Sequence, residues 1–516
     1  MTDTLTASIG QKLYPYQAAV IDQLVDRRRQ GIFDEPGVGK TIITLAALER
    51  DGLFAAEGRH ILVLATKTGA ALTWEREVEQ HVSSLYPDVL VVPAHSGSLP
   101  GRRRTVVNAC MTTRTVLVIA NHAFIEWTKK DHGHPLWEIE WDAIIVDESH
   151  KVLPTKVEWE SQYTRFWDGL RRLKFWPGGL KFALSGTPDR GKLENRYGTW
   201  KFLLPEHYNS ALPFADWQRK NFHIKFKRVR VKTRNGFEYL ELAVPDGLKN
   251  PEEWNELEEL MTIRRTKAEI APWLPPKRYI PVMLKVPPAL KKAYEAYEAE
   301  FAKNDDGSAA SAKAFWIRAL QFAVCEWEIK QRQDGTTTAK AIVGGASAKR
   351  DWILEWLDDR DYTDPTGDGK VVITSQLSEI LRWLQIELTL AGYTAEILDG
   401  SKSTAQRLAI QDRFQHGDLR IILLNSSLGD SIDLDAADDM IPITETHDPE
   451  VATQTEDRTH RVSRNHNVFI WQLRSIGTVD EVIASVSDAR FTETRLVYEG
   501  RRGVDFARKI LARITP

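Results

Sequence analysis

Asp34-Glu35-Pro36-Gly37-Val38-Gly39-Lys40-Thr41 has the make-up of a phosphate-binding loop. Such a loop needs glycines, because backbone N–H groups must close around phosphate oxygens and a side chain would block them. Gly37 and Gly39 meet that need. Lys40 would contact the β- and γ-phosphates, and Thr41 would ligate Mg²⁺. A strand-like 31–33 precedes the loop and the helix-like Thr41–Arg50 follows it. One position departs from G-x-x-x-x-G-K-T: the first residue is Asp34, not Gly. About 105 residues further on, the reach of one nucleotide-binding domain, comes Asp147-Glu148-Ser149-His150. It follows the apolar run Ala143–Val146 and so sits at a strand's carboxyl end, where open α/β sheets bind ligands. Asp147 would hold hydrated Mg²⁺, and Glu148 would orient and polarise the attacking water. His150 is expected to couple this box to neighbouring loops. Acidic pairs after strands also cap helices, but the upstream loop favours the catalytic assignment. Together the two stretches imply hydrolysis of a nucleoside triphosphate.

The pattern around them is α/β. Ile61–Ala65, Val116–Ala120, Ala143–Val146 and Phe182–Leu184 read as short buried strands, with Thr41–Arg50 and Thr73–Gln80 as helices. That alternation implies a parallel sheet with helices on both faces. Val371–Thr374, Ala395–Leu398, Ile421–Leu424 and Phe469–Leu473 repeat it, with helices over Leu377–Ala391 and Thr404–His416. The expected organisation is a first lobe at 1–205, a connecting region at 206–346 and a second lobe at 347–516. In the middle, Glu252–Glu259 and Pro288–Ala302 look helical. Asn304–Ser311 and Gln333–Ser347 look flexible. Phe222–Leu242 reads as a hairpin around Asn235-Gly236.

The bulk numbers exclude other classes. In 516 residues, 42% are hydrophobic and 27% charged, so large cores can form. The net charge of −3 means that any nucleic-acid site is a local basic track. Two cysteines, Cys110 and Cys325, allow neither a disulfide framework nor a cysteine zinc site. Apolar runs are too short to span a bilayer and no signal peptide opens the chain, so a soluble cytoplasmic protein is expected. Trp127, Trp137, Trp141, Trp167 and Trp176 are expected in the core, and Arg102-Arg103-Arg104 in a solvated loop.

These motifs resemble superfamily-two nucleic-acid motors, and among them the Swi/Snf-type translocases. Leu13-Tyr14-Pro15-Tyr16-Gln17 is similar to the family's L-x-P-Y-Q element, which implies that Gln17 reads adenine. The stretches 34–41 and 147–150 match motifs I and II, and Ser185-Gly186-Thr187-Pro188 matches motif III. Arg264-Arg265-Thr266-Lys267 with Leu274-Pro275-Pro276-Lys277 resembles a signature typical of Swi/Snf proteins. Lys370–Gln376 resembles motif IV, and Leu398-Asp399-Gly400 the element after it. Gln454-Thr455-Glu456-Asp457-Arg458-Thr459-His460-Arg461 matches motif VI. Motif V has Ser in place of its second Gly, in Gly429-Asp430-Ser431-Ile432-Asp433-Leu434. Motif VI ends Ser463-Arg464 instead of Gly-Gln.

The resemblance implies two RecA-like lobes, with ATP and Mg²⁺ as cofactors. It also implies Gln454 at the nucleotide, with Arg458 and Arg461 as arginine fingers. DNA is the implied partner, gripped through its phosphates by Lys67, Thr68, Asn121, Ser375, Gln376, Asn425 and Ser426. The expected protein is a stand-alone monomeric motor of a bacterial or phage-infected cell, with no room for a chromatin-reader module. Its function would be ATP-driven movement along DNA, the duplex form first. The alternatives are a strand-separating DNA or RNA helicase, a nucleic-acid-binding protein with a weak or decayed ATPase, or a signalling NTPase. Arg219–Leu242 is expected to place Lys225, Lys227, Arg230 and Lys232 on one basic face that touches DNA phosphates. The competing reading is an edge hairpin whose lysines block aggregation.

Overall fold

The computed structural model describes residues 8–484, apart from 154–157, 160–161, 190–192, 208–211, 234–235, 305–308, 332–336, 365–366, 429–431, 447–448 and 463. The chain divides into two compact units between Pro272 and Trp273.

The first unit is built on a seven-stranded parallel sheet. Its spatial order is Thr262–Ile263, Arg29–Ile32, Lys174–Leu184, Glu140–Val146, His60–Ala65, Val116–Asn121, Leu90–Ala94. The central strands are apolar throughout because helices cover both faces. Alternate residues go to opposite sides. Ile61 and Val63 pack with Ile43, Leu45 and Trp74 of the helical layer. Leu62 and Leu64 join Val118, Val146, Trp141 and Trp200 on the other face. Trp137, Trp141 and Trp167 are buried as expected, while Trp127 is half-buried and Trp176 is 39% exposed.

The second unit has a six-stranded parallel sheet. The order is Lys277–Leu284, Val468–Ser475, Asp439–Pro442, Val371–Ser375, Ile421–Asn425, Ala395–Leu398. Its edge strand Lys277–Leu284 comes from the expected connecting region, and so do the helices Pro288–Asn304 and Ala309–Val324. The expected flexible stretches are partly ordered. The helix Ala309–Val324 begins inside one, and the strand Thr337–Ala341, paired with Trp327–Gln331, lies inside the other. The helix goes on to bury Phe315 and Leu320, past the stretch expected to be flexible, and Ala339 and Ala341 of the strand are half-buried against the same core.

The hairpin exists, as Phe222–Thr233 against Gly236–Leu248. Its turn, 234–235, lies outside the described residues. The single basic face is corrected by the register. Lys225 and Lys227 occupy odd positions of an unbroken strand and Arg230 and Lys232 even ones, so the two pairs fall on opposite faces of the pleat.

Candidate functional site

Three motif loops leave the same edge of the first sheet. Arg29–Ile32, Lys174–Leu184 and Glu140–Val146 are adjacent, with Ile32 opposite Leu184 and Val146 opposite Ala183. Residues 34–41, 185–188 and 147–150 therefore emerge side by side at the carboxyl ends, where open α/β sheets bind ligands.

The backbone turns through left-handed conformations at Gly37 (φ 81°) and Gly39 (φ 86°). A Cβ on Gly39 would lie 2.4 Å from Gln17 Nε2. Lys40 and Thr41 then open the helix Lys40–Arg50. The Lys40 ammonium folds back to donate to the carbonyls of Asp34 (2.9 Å) and Glu35 (3.2 Å). Gln17 is buried against the loop. Its Nε2 donates to Val38 O at 3.0 Å, and its Oε1 accepts from Tyr14 N at 2.9 Å. Tyr16 Oη donates to the same Val38 carbonyl at 2.8 Å. Burial, with Tyr14 beside it, pushes the Tyr16 phenol up to about 12, so it remains a donor at neutral pH.

In the acidic box, Glu148 takes a left-handed backbone (φ 48°), which costs a non-glycine residue energy and recurs at functional sites. Asp147 is fixed from two sides. Trp74 Nε1 donates to Oδ2 at 2.9 Å and Glu148 N to Oδ1 at 2.9 Å. His122 Nε2 donates to the Asp147 carbonyl at 2.8 Å. His150 Nδ1 lies 2.8 Å from Ser185 Oγ and 3.3 Å from Glu148 Oε2, so the histidine does join this box to the next loop. That loop also packs on the first: a Cβ on Gly186 would be 2.6 Å from Pro36 Cγ.

Asp34, where the common pattern has glycine, is fully buried. It accepts from Arg265 N (2.9 Å), Nε (3.1 Å) and Nη2 (2.5 Å). Glu35 Oε2 accepts from Lys267 N at 2.8 Å. Asp189, just past the third loop, pairs with buried Arg196 at 2.7 Å, and Arg196 reaches Glu258 at 3.0 Å. Burial pushes the Glu258 carboxyl up against the pull of Arg196. Trp74, His122, Arg196 and the Asp34–Arg265 pair were not identified as site residues from sequence. Only the arginine doublet left a signal there, as part of a signature.

In the second unit, Ser375 and Asn425 end neighbouring strands in register. Ser375 is fully buried, and its hydroxyl is committed to Thr444 Oγ1 (2.9 Å) and Leu377 N (3.0 Å). In this structure the hydroxyl expected at a DNA phosphate shapes its own loop. Asn425, 8% exposed, likewise ties Ser378 Oγ (2.8 Å) to Ser427 N (2.8 Å). Gln376 and Ser426 are half-buried beside them. In the first unit Lys67 is exposed and Thr68 half-buried, at a turn capped by Thr66. Asn121 Oδ1 accepts from Arg102 Nη1 at 2.8 Å.

The arginine run 102–104 is another correction. It lies in the helix Leu99–Cys110, which turns Arg103 inward. Arg103 donates to Phe124 O, Glu126 O and Asp131 and stacks on Trp137.

Gln454 lies half-buried on the helix Pro449–Glu456. Arg458 is 6% exposed and donates to Leu428 O at 2.8 Å. Arg461 pairs with Asp433. Of the positions that depart from the motif V and motif VI patterns, Ser431 and Ser463 lie outside the described residues, whereas Arg464 is buried and donates to Ala437 O (2.7 Å) and Thr459 O (3.0 Å). Lys277 supports this helix end through Glu456 (2.9 Å) and Asp457 (3.0 Å). Burial pulls the Lys277 ammonium down, but those two carboxylates hold it above its usual range. Among the described residues, no helix is long and apolar enough to cross a membrane.

Two proteins similar to this chain are longer than it is. It is 24% identical to the chromodomain-helicase-DNA-binding protein 3 homolog of Caenorhabditis elegans, over 96% of this chain and 27% of that one. It is 26% identical to the probable ATP-dependent DNA helicase CHR23 of Arabidopsis thaliana, over 92% and 42%. The chain thus spans less than half the length of either. The Sulfolobus solfataricus SWI2/SNF2 ATPase core in complex with dsDNA matches with 18% identity and a TM-score of 0.39, over 100% of this chain and 99% of that one. The model of the SNF2-related domain matches residues 16–334 and that of the helicase conserved C-terminal domain residues 349–463, so the chain belongs to the SNF2-related family.

Proposed function

We propose that this protein is an ATP-driven motor that moves along duplex DNA. The observation that carries the reading is the convergence of three loops on one sheet edge, with Lys40, Asp147 and Glu148 at their tips and His150–Ser185 joining them. The residues fit a triphosphate. The loop follows a path that a side chain at Gly39 would block, and it places a lysine ammonium on its own carbonyls, from which it can turn to a phosphate. Thr41 and Asp147 would hold Mg²⁺, which supplies charge neutralisation at the β/γ oxygens.

The chain's own residues do the rest. Gln17 and Tyr16 brace the loop at Val38, and Gln17 would read the adenine edge. Lys40 would contact the β- and γ-phosphates. Trp74 and His122 fix Asp147, which leaves Glu148 to orient the water. Arg458 and Arg461 would answer the charge that gathers on the γ-phosphate in the transition state, and Gln454 would contact the nucleotide. Lys67, Thr68, Asn121, Gln376, Asn425 and Ser426 line the loops proposed to meet the DNA backbone. Steady-state ATPase with no nucleic acid, single-stranded DNA, duplex DNA, forked DNA and RNA tests the reading. Strongest stimulation by duplex supports it; stimulation by RNA alone, or none by any of them, refutes it.

A further inference from the structure

The ribbon formed by Phe222–Thr233 and Gly236–Leu248 has no third strand among the described residues. Its root is buried, with Phe222 packed on Trp217 (5.6 Å) and Trp254 (5.4 Å). Beyond the root both faces open to water: Lys225 on one and Phe226 on the other are exposed. An isolated two-stranded ribbon is at best marginally stable in water. One that also presents aromatic rings to solvent is the kind of surface a partner covers.

One face carries the rings. Phe226 is 71% exposed and Tyr239 59%. The pairing of Phe226 with Ala243, Arg228 with Glu241 and Arg230 with Tyr239 puts Phe226, Arg228 and Tyr239 on that same face. The Arg228 guanidinium lies 4.8 Å from the Tyr239 ring centroid, a cation stacked on an aromatic whose remaining surface is open. By register Arg228, Arg230 and Lys232 belong to this face, against Glu241 alone, in a chain of net charge −3. That local excess fits an anionic partner. Rings beside cations fit an anion that also offers flat apolar faces. A duplex hides its base faces in the stack, whereas a single strand exposes them.

We propose that this face binds single-stranded DNA by stacking unpaired bases on Phe226 and Tyr239, with Arg228 backing the second ring. The inference rests on the reading that the chain acts on DNA, and it adds that the motor also engages an unpaired strand.

The test is fluorescence anisotropy with a labelled short oligothymidine strand and a labelled blunt duplex, at fixed salt, on the full chain. Phe226→Ala/Tyr239→Ala should lose single-strand affinity by roughly fivefold or more per ring, as expected for lost stacking. Its salt slope should not change, because no charge is removed. Duplex affinity and ATPase turnover without DNA should stay at wild-type values. Phe226→Tyr/Tyr239→Phe, which keeps both rings, should bind as wild type. Both rings are exposed, so neither pair of substitutions removes core packing. Unchanged single-strand affinity in the alanine variant would overturn the proposal, as would equal losses on strand and duplex, or an equal loss in the ring-keeping variant. If the wild type binds neither DNA, the motor reading itself fails; if it binds both and only the ring effect is missing, the motor reading survives.

Discussion

The guanidinium of Arg265 closes on the buried carboxylate of Asp34, with Nη2 2.5 Å from Oδ2 and Nε 3.1 Å from Oδ1. Its other arm, Nη1, donates to Tyr16 O at 2.6 Å. One arginine thus holds both the start of the phosphate loop and the segment that carries Gln17. The geometry explains the departure at position 34: an aspartate here anchors the loop to a strand end 231 residues away.

Removing one partner of such a pair strands the other charge. Arg265→Ala should destabilise the first unit by about 3 kcal/mol, the lower end for a broken buried pair. It should also weaken ATP binding. Arg265→Lys should rescue little, because an ammonium cannot reproduce the fork. Asp34→Gly/Arg265→Ala should recover part of the loss. Urea unfolding of the wild type, Asp34→Gly, Arg265→Ala and the double variant measures this as a coupling energy, and additive effects would show that the pair does not hold the loop.

Lys40→Ala and Glu148→Gln should fail differently. The first loses the charge that meets the phosphates, so ATP binding and turnover both fall. The second keeps the side chain's shape and loses only the carboxylate, so ATP should bind and persist unhydrolysed. Equilibrium binding with labelled ATP, followed by single-turnover hydrolysis, separates the two. Near-normal turnover in either variant would remove the assigned chemistry.

Arg461→Ala should leave ATP affinity within about tenfold and cut turnover by a factor on the order of 10³, as loss of an arginine finger does. Arg458 is more deeply buried and holds the Leu428 carbonyl. Arg458→Ala should therefore lower the unfolding midpoint as well as turnover. Steady-state kinetics beside thermal melts of both variants check this. A fall of only a few-fold in turnover would leave the arginines as packing residues.

Lys349 and Asp480 form an ion pair at 2.7 Å with both side chains fully buried. Lys349 Nζ also donates to Ile443 O, and Asp480 accepts from Ser475 N. Lys349→Met alone should cost about 3–5 kcal/mol. Lys349→Met/Asp480→Leu should recover most of it, because the double change leaves no unpaired charge. Denaturant midpoints of the two variants decide it.

Much of the scaffold was legible because its signals are local. Short runs such as Ile61–Ala65 and Ile421–Leu424 suit strands buried on both faces, and Gly37 and Gly39 with Lys40-Thr41 mark a phosphate loop. What stayed hidden depends on residues distant in sequence. Trp74 meets Asp147 across 73 positions, and Lys277 meets Glu456 across 179. Arg103 looked solvated because three arginines in a row show charge but not which one a helix turns inward. The hairpin's faces were misassigned because Lys227-Arg228 doubles the basic residue and shifts the alternation by one position. Ser375 is tied to Thr444, 69 positions away, and no local signal links the two.

The central claim is that hydrolysis at Lys40, Asp147 and Glu148 drives movement along duplex DNA. Displacement of a third strand from a duplex that carries a triplex block measures that movement without requiring strand separation. Release should need ATP, proceed on a fully paired duplex and disappear in Glu148→Gln. An enzyme that hydrolyses ATP on duplex DNA yet leaves the third strand in place would contradict it.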